Sequence, residues 1–302
     1  MDATPVAVPE AAAAPAPAAA PAPGSERAQA RRETLRLLVH KPAFIIGNIV
    51  LIWWIFSAIM GDRITPYDPL NYFTTGHLPP SPEHWFGTDR LGRDVLSRVW
   101  FGSRDVLIIA PLAALLGVAA GTLLGLVMGY YRGRVDDVLS RLVEAFLALP
   151  VILVALLVLV VLGSSPIVVI FVVGILFTPI VARTVRSAVL SERQLDYVTS
   201  AKLRGETGRF ILSQEIFPNV LGPTVVEMTV RFGYAIFTVA TLSFLGVGIQ
   251  PPSADWGLSV SEEYSNMISG IWWSTLFPAL AIASIVIAVN LIADSLQSVT
   301  NE

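Results

Sequence analysis

Asp196–Asn219, DYVTSAKLRGETGRFILSQEIFPN, is a polar stretch between two long apolar ones, and its reading decides how the chain is laid out. Its first part, Tyr197 to Arg204, carries no helix breaker, and Val198, Ala201 and Leu203 can share a side of one helix. Gly205 then turns the chain, because glycine accepts a positive φ without a Cβ clash. A second amphipathic run follows, with Phe210, Ile211, Ile216 and Phe217 as its apolar members, and Pro218 is expected to stop it. The expectation is a helix, a glycine turn and a short helix, lying between two membrane spans.

Composition supports the membrane setting. Of 302 residues, 54% are hydrophobic and only 14% charged, more apolar surface than a soluble domain needs. A net charge of -3 says little for such a chain, where sidedness matters more. The absence of cysteine excludes disulfides and thiolate metal sites. The sequence contains no H-E-x-x-H, G-x-S-x-G or G-x-x-x-x-G-K-[ST], so no metal site, membrane protease or self-contained ATPase is expected. Nucleic acid is not expected as a partner; membrane lipid is.

Outward from the central stretch, the chain reads as an all-α integral membrane protein with six transmembrane helices. Residues 1–26 form an Ala/Pro-rich tail expected to be disordered in the cytosol. Residues 27–41, with Arg27, Arg31, Arg32, Arg36 and Lys41, read as a basic amphipathic lead-in helix on the inner surface. The first span is expected at 42–60 and a long extracytoplasmic loop at 61–104. Within 105–296 five more spans follow: about 106–129, 142–162 and 166–182, then two after the central 196–219 loop, the last about 276–293. Residues 297–302 are expected back in the cytosol. Tyr130 to Arg141 reads as a short inner loop, and Gly163-Ser164-Ser165 as the tight outer turn of a hairpin.

Gly117, Gly121, Gly125 and Gly129 recur every four residues, forming a stripe that lets helix backbones approach closely in lipid. Core packing is one reading and pore lining the other. Glu227 and Arg231 stand one turn apart in the favourable order. A charge at the bilayer centre costs roughly 2.5–3.5 kcal/mol on insertion scales, which places the pair toward the inner end or beside a wet cavity. It reads as a structural ion pair or as a candidate inner gate. Fourteen of the twenty Lys and Arg fall on the proposed inner side and five in the first outer loop, which places both termini inside.

Three blocks carry a resemblance. HWFGTDRLGRDVLSRVWFGSR, His84 to Arg104, and LSFLGVGIQPPSADWG, Leu242 to Gly257, closely resemble the permeases of dipeptide, oligopeptide and nickel ABC importers. The central stretch resembles their EAA loop through Ala201, Gly205, Ile216, Pro218 and Asn219. Thr199 stands where that family usually has Glu and Ser200 where it has Ala. The ending N-L-I-A-D-S-L departs from the usual N-L-x-G-D-G-L-R at Ala293, Ser295 and Gln297.

The resemblance implies a non-catalytic translocation subunit in the cell's inner (plasma) membrane. It implies a second related permease beside it, two ATP-binding subunits inside and a solute-binding protein outside. ATP and magnesium would act on the ATP-binding subunits, with no cofactor on this chain. Coupling to those subunits would run through Ala201, Lys202, Leu203, Gly205, Ile216 and Pro218. Di- or oligopeptides are the expected cargo, with nickel complexes the alternative. Gly87, Gly92, Asp89, Arg93 and Asp94 would hold the outer block as a rigid plug, or touch substrate. An ion-driven secondary transporter is the rival; its midplane carboxylates are disfavoured because Glu144, Glu227 and Asp294 fall near the proposed inner ends.

Overall fold

The computed structural model describes residues 38–72 and 75–300; the 1–26 tail, most of the basic lead-in and the last two residues lie outside them. The described residues form an all-helical bundle. In chain order the helices are α1 (Pro42–Ile64), α2 (Val95–Tyr131), α3 (Arg134–Leu147), α4 (Val151–Leu162) and α5 (Pro166–Glu192). There follow α6 (Asp196–Leu203), α7 (Gly208–Phe244), α8 (Trp256–Glu263) and α9 (Trp273–Thr300). α1, α2, α5, α7 and α9 are each long and apolar enough to cross a membrane, and α3 with α4 would make a sixth crossing if the bent pair counts as one.

α2 begins well before the expected span. Asp94 caps it by accepting from the Ser97 amide at 2.8 Å, so Val95 to Arg104 is helix rather than loop. The segment looked like loop because of Arg98 and Arg104. Arg98, however, is only 3% exposed and lies 3.6 Å from both Asp89 and Glu262, with its Nη1 buried and unpartnered among the described residues.

The third span also departs from expectation. Residues 134–141 are helix rather than inner loop, and the chain bends by 86° between α3 and α4. Pro150 explains the break, since it lacks an amide hydrogen and disfavours helix at the residue before it. α4 has 12 residues, about 18 Å at the helical rise, and falls short of the roughly 30 Å of a bilayer core. α3 is held by Asp136, whose two carboxylate oxygens accept from Arg186 of α5 at 2.6 and 2.7 Å.

The closest packing is between α2 and α5. A Cβ on Gly117 would lie 2.7 Å from the Gly174 carbonyl, and one on Gly121 only 2.5 Å from Val181 Cβ. On Gly125 it would meet the Ala182 carbonyl at 2.7 Å, and on Gly129 the Val189 Cβ at 2.6 Å. The glycines step down one face of α2 while their neighbours step down α5 in register. α1 packs on α2 and α9, and α9 on α7. Trp54 of α1 joins the centre of the core, 4.7 Å from the Trp256 ring and donating to Ser284 Oγ at 2.9 Å. Lys41 donates to Ser298 Oγ at 2.6 Å, which brings the start of α1 and the end of α9 to the same face of the bundle.

Gly121→Leu should therefore harm the fold far more than Leu123→Ala, since Leu123 is 66% exposed. Overpacking of this kind costs about 1–3 kcal/mol. Thermal denaturation of the detergent-solubilised protein checks it: a Gly121→Leu melting temperature equal to wild type would mean that α2 and α5 are not in backbone contact.

Candidate functional site

Chemistry-bearing residues gather at the two ends of the bundle. At one end the His84–Arg104 block is fastened down. Gly87 (φ 71°) and Gly92 (φ 77°) take left-handed turns that non-glycine residues rarely adopt. Between them Thr88 and Asp94 form a single antiparallel bridge. Asp94 accepts from His84 Nδ1 at 2.9 Å with one oxygen and from Ser97 with the other.

Asp89 accepts from the Arg93 amide at 2.9 Å and from Arg93 Nε at 2.6 Å. Arg93 also donates through Nη2 to Glu262 at 2.7 Å. Burial alone would lower the Arg93 pKa, but Asp89 and Glu262 outweigh it, so it stands above its ordinary value. Arg98 lies 3.6 Å from both Asp89 and Glu262, and donates to Ser259 Oγ at 2.9 Å. Glu263 accepts from the Arg90 amide at 2.9 Å, Ser274 Oγ at 3.1 Å and Asn266 at 3.1 Å, and lies 3.1 Å from His77 Nε2.

Sequence reading singled out Asp89, Arg93 and Asp94 but assigned no role to Arg98, Glu262 or Glu263. The available signal was complementarity: an arginine-rich 61–104 segment and an acidic one between the last two expected spans.

Asp255 completes this end. It caps α8 by accepting from the Leu258 amide at 2.8 Å, while its other oxygen is buried and beyond ordinary hydrogen-bond distance of any donor among the described residues. Burial pushes its pKa up to about 6, against the opposing pull of the Leu258 amide and Ser243.

At the other end α6 lies on the junction of α2, α5 and α7. Val198 and Ala201 are fully buried there, whereas Leu203 points away and is 84% exposed. The three do not share a side, since the five residues from Val198 to Leu203 turn by about 140° at 3.6 residues per turn. Lys202 and Pro218 are exposed, Ile216 is fully enclosed, and Gly205 turns the chain at φ 81° with open space around it.

Pro218 does not end a helix. It sits in the first turn of the Phe217–Phe244 segment, and Gly208–Phe244 runs on as one helix. The turn before it, Ile211–Ile216, widens to π geometry, with the Phe217 amide bonding to the Leu212 carbonyl. A wide turn carries the chain past a proline that has no amide to donate. Tyr197 ties the loop to its neighbours, donating to Glu192 at 2.6 Å and accepting from Asn219 at 3.1 Å. Burial and the bond to Glu192 push its pKa up to about 12.

Glu227 and Arg231 are in contact, Nε to Oε2 at 3.0 Å, and Thr184 Oγ1 donates to Glu227 at 2.8 Å.

The sequence profile described as "binding-protein-dependent transport system inner membrane component" matches residues 121–301. The chain belongs to this family. As a permease it is 35% identical over 267 residues to the dipeptide transport system permease protein DppC of Bacillus subtilis (strain 168), covering 88% of this chain and 83% of that one. It is 41% identical over 251 residues to the glutathione transport system permease protein GsiD of Escherichia coli O6:K15:H31, covering 82% of each. A putative peptide transport system permease protein of Brucella suis biovar 1 is 38% identical over 267 residues, covering 88% of this chain and 90% of that one. The MetNI methionine ABC transporter, in an inward-facing conformation, shares the fold: TM-score 0.55 at 17% identity, over 68% of this permease and 96% of that chain. The matched region holds the central loop, the Glu227–Arg231 pair and Asp255.

The raised pKa of Asp255 has a measurable sign. In the unfolded chain the carboxyl ionises near 3.8, in the folded one near 6. The stability tied to the neutral form is therefore present below pH 3.8 and lost as pH rises through about 6. Asp255→Asn cannot ionise and still caps a helix. It should denature at a higher temperature than wild type above pH 6, with the difference shrinking toward pH 4. A constant difference across that range would show that Asp255 titrates normally.

Proposed function

We propose that this permease is one half of the pore of an ATP-driven importer of di- or oligopeptides. The supporting observation is 35–41% identity over most of the chain to permeases named for dipeptide, peptide and glutathione transport. A second, related permease completes the pore, two ATP-binding subunits hydrolyse ATP with magnesium, and a solute-binding protein delivers cargo outside. In this reading the chain makes six crossings, with α3 and α4 together as the third. Both chain ends lie in the cytoplasm, and the Ala/Pro tail and basic lead-in remain on that side.

The 196–219 loop is the docking element toward an ATP-binding subunit. Exposed Leu203, Lys202 and Gly205 are its contact surface. Ala201 and Ile216 have no exposed surface and act by holding α6 in place, and Pro218 by shaping the start of the long helix. Burying Leu203 in a partner's groove would contribute about 1.5–3 kcal/mol. The gasket of buried ion pairs at the opposite end closes the outer mouth, in keeping with a plug rather than a surface that reads substrate. A nickel complex as cargo is the second reading, since the resemblance extends to nickel importers.

The test is Gly205→Glu in the reconstituted complex. A side chain at positive φ costs about 1–2 kcal/mol, and the charge would occupy the docking surface. The permease should insert and fold while ATP hydrolysis loses its coupling to uptake; Thr199→Ala should be mild. Full coupling in Gly205→Glu would return the loop to a surface connector.

A further inference from the structure

A cavity of about 460 Å³ opens near the docking-loop end of the bundle, lined by Thr184, Val226, Glu227, Val230, Arg231 and Gln297 among others. That volume falls within the roughly 300–1,000 Å³ of small-ligand sites. Its two charges are used unequally. Glu227 is satisfied on both oxygens, by Thr184 Oγ1 at 2.8 Å and by Arg231 Nε at 3.0 Å. Arg231 engages only Nε; its two Nη atoms have no hydrogen-bond partner among the described residues and are not sealed from solvent. The guanidinium is held in place by rings, its Cζ 5.0 Å from the centroid of Tyr234 and 6.0 Å from that of Phe177.

We propose that this cavity is a transit site for short peptides, in which the Arg231 Nη pair receives the C-terminal carboxylate. A planar fork with two free N–H groups matches a carboxylate in bidentate fashion, which an ammonium cannot do. Glu227 orients the fork and makes the pair neutral overall. A zwitterionic peptide therefore enters without adding net charge, whereas a bare anion is repelled by the adjoining Glu227 carboxylate. Gln297 adds a side-chain amide, able both to donate to and accept from a peptide bond. The proposal rests on the peptide reading above and adds a contact residue to it.

The chain has no cysteine, so Val230→Cys introduces a single thiol at the cavity wall. In the complete transporter in proteoliposomes, without the solute-binding protein, the rate of maleimide labelling of this chain is read with trialanine, trialanine amide or acetate present. Trialanine should slow labelling, and the amide should need about tenfold higher concentration, the worth of a charge-assisted bidentate contact. Acetate at the trialanine concentration should have no effect. Arg231→Gln should bring trialanine down to the level of its amide. Arg231→Lys, which keeps the charge without the fork, should fall between and shows that the variant protein is folded.

Equal protection by peptide and amide, protection by acetate, or protection surviving in Arg231→Gln would overturn the site. Trialanine uptake by the complex with its solute-binding protein separates the two levels. Uptake without protection overturns the site and leaves the peptide reading standing, whereas neither uptake nor protection overturns both.

Discussion

The near-contact of two helix backbones, α2 and α5, is the constraint on which everything else rests. Four glycines at intervals of four remove the side chains from one face of α2, and α5 fills the space with its own carbonyls and β-branched residues. In lipid, where apolar side chains gain little by meeting one another, such closeness is what makes association favourable. The seam also sets the ends of the molecule. The extended start of α2 carries the end of the His84–Arg104 block, and the last turn of α5 leads directly into the 196–219 loop, so both take their position from one packed pair.

Charge at the end that holds the His84–Arg104 block is handled by the protein itself. Arg93 and Arg98 would weaken a sidedness argument if they faced water, because basic residues are usually kept on the inner side. Both are under 10% exposed and matched by Asp89 and Glu262. Burying ions is costly unless each is paired and hydrogen-bonded. Here Asp89 accepts from the Leu91 and Arg93 amides as well as from the Arg93 side chain. The arrangement fixes the register between two loops about 170 residues apart, which apolar packing alone would leave free to slide.

Much of this was legible from spacing alone. The glycine period, the turn at Gly205 and the alternation of apolar runs and polar connectors depend on local chemistry that sequence displays directly. The departures had non-local or geometric causes. Arg98 looked like a loop residue because one of its acidic partners, Glu262, lies far along the chain. The 142–162 segment looked like one straight span because apolar character hides a bend, although Pro150 was in plain view. Pro218 looked like a stop because a widened turn leaves no mark on a hydrophobic pattern. Leu203 was placed with Val198 by composition, where counting angle around the helix puts it on the other side. Among the charges, the unequal use of Glu227 and Arg231 could emerge only from which nitrogen meets which oxygen.

The uninterrupted course of α7 has a mechanical consequence. At 37 residues it is about 55 Å long by the helical rise, a single helix from the 196–219 loop to the loop before α8. A helix continuous over that length carries a tilt at one tip through to the other. The widened turn at Ile211–Ile216 preserves helical continuity through Pro218, so a tilt at the loop would be a tilt of the whole helix. It arrives at Phe244, against the cap where Asp255 and the arginine network sit. In the importer reading proposed above, opening one mouth and shutting the other would be the two ends of one lever stroke.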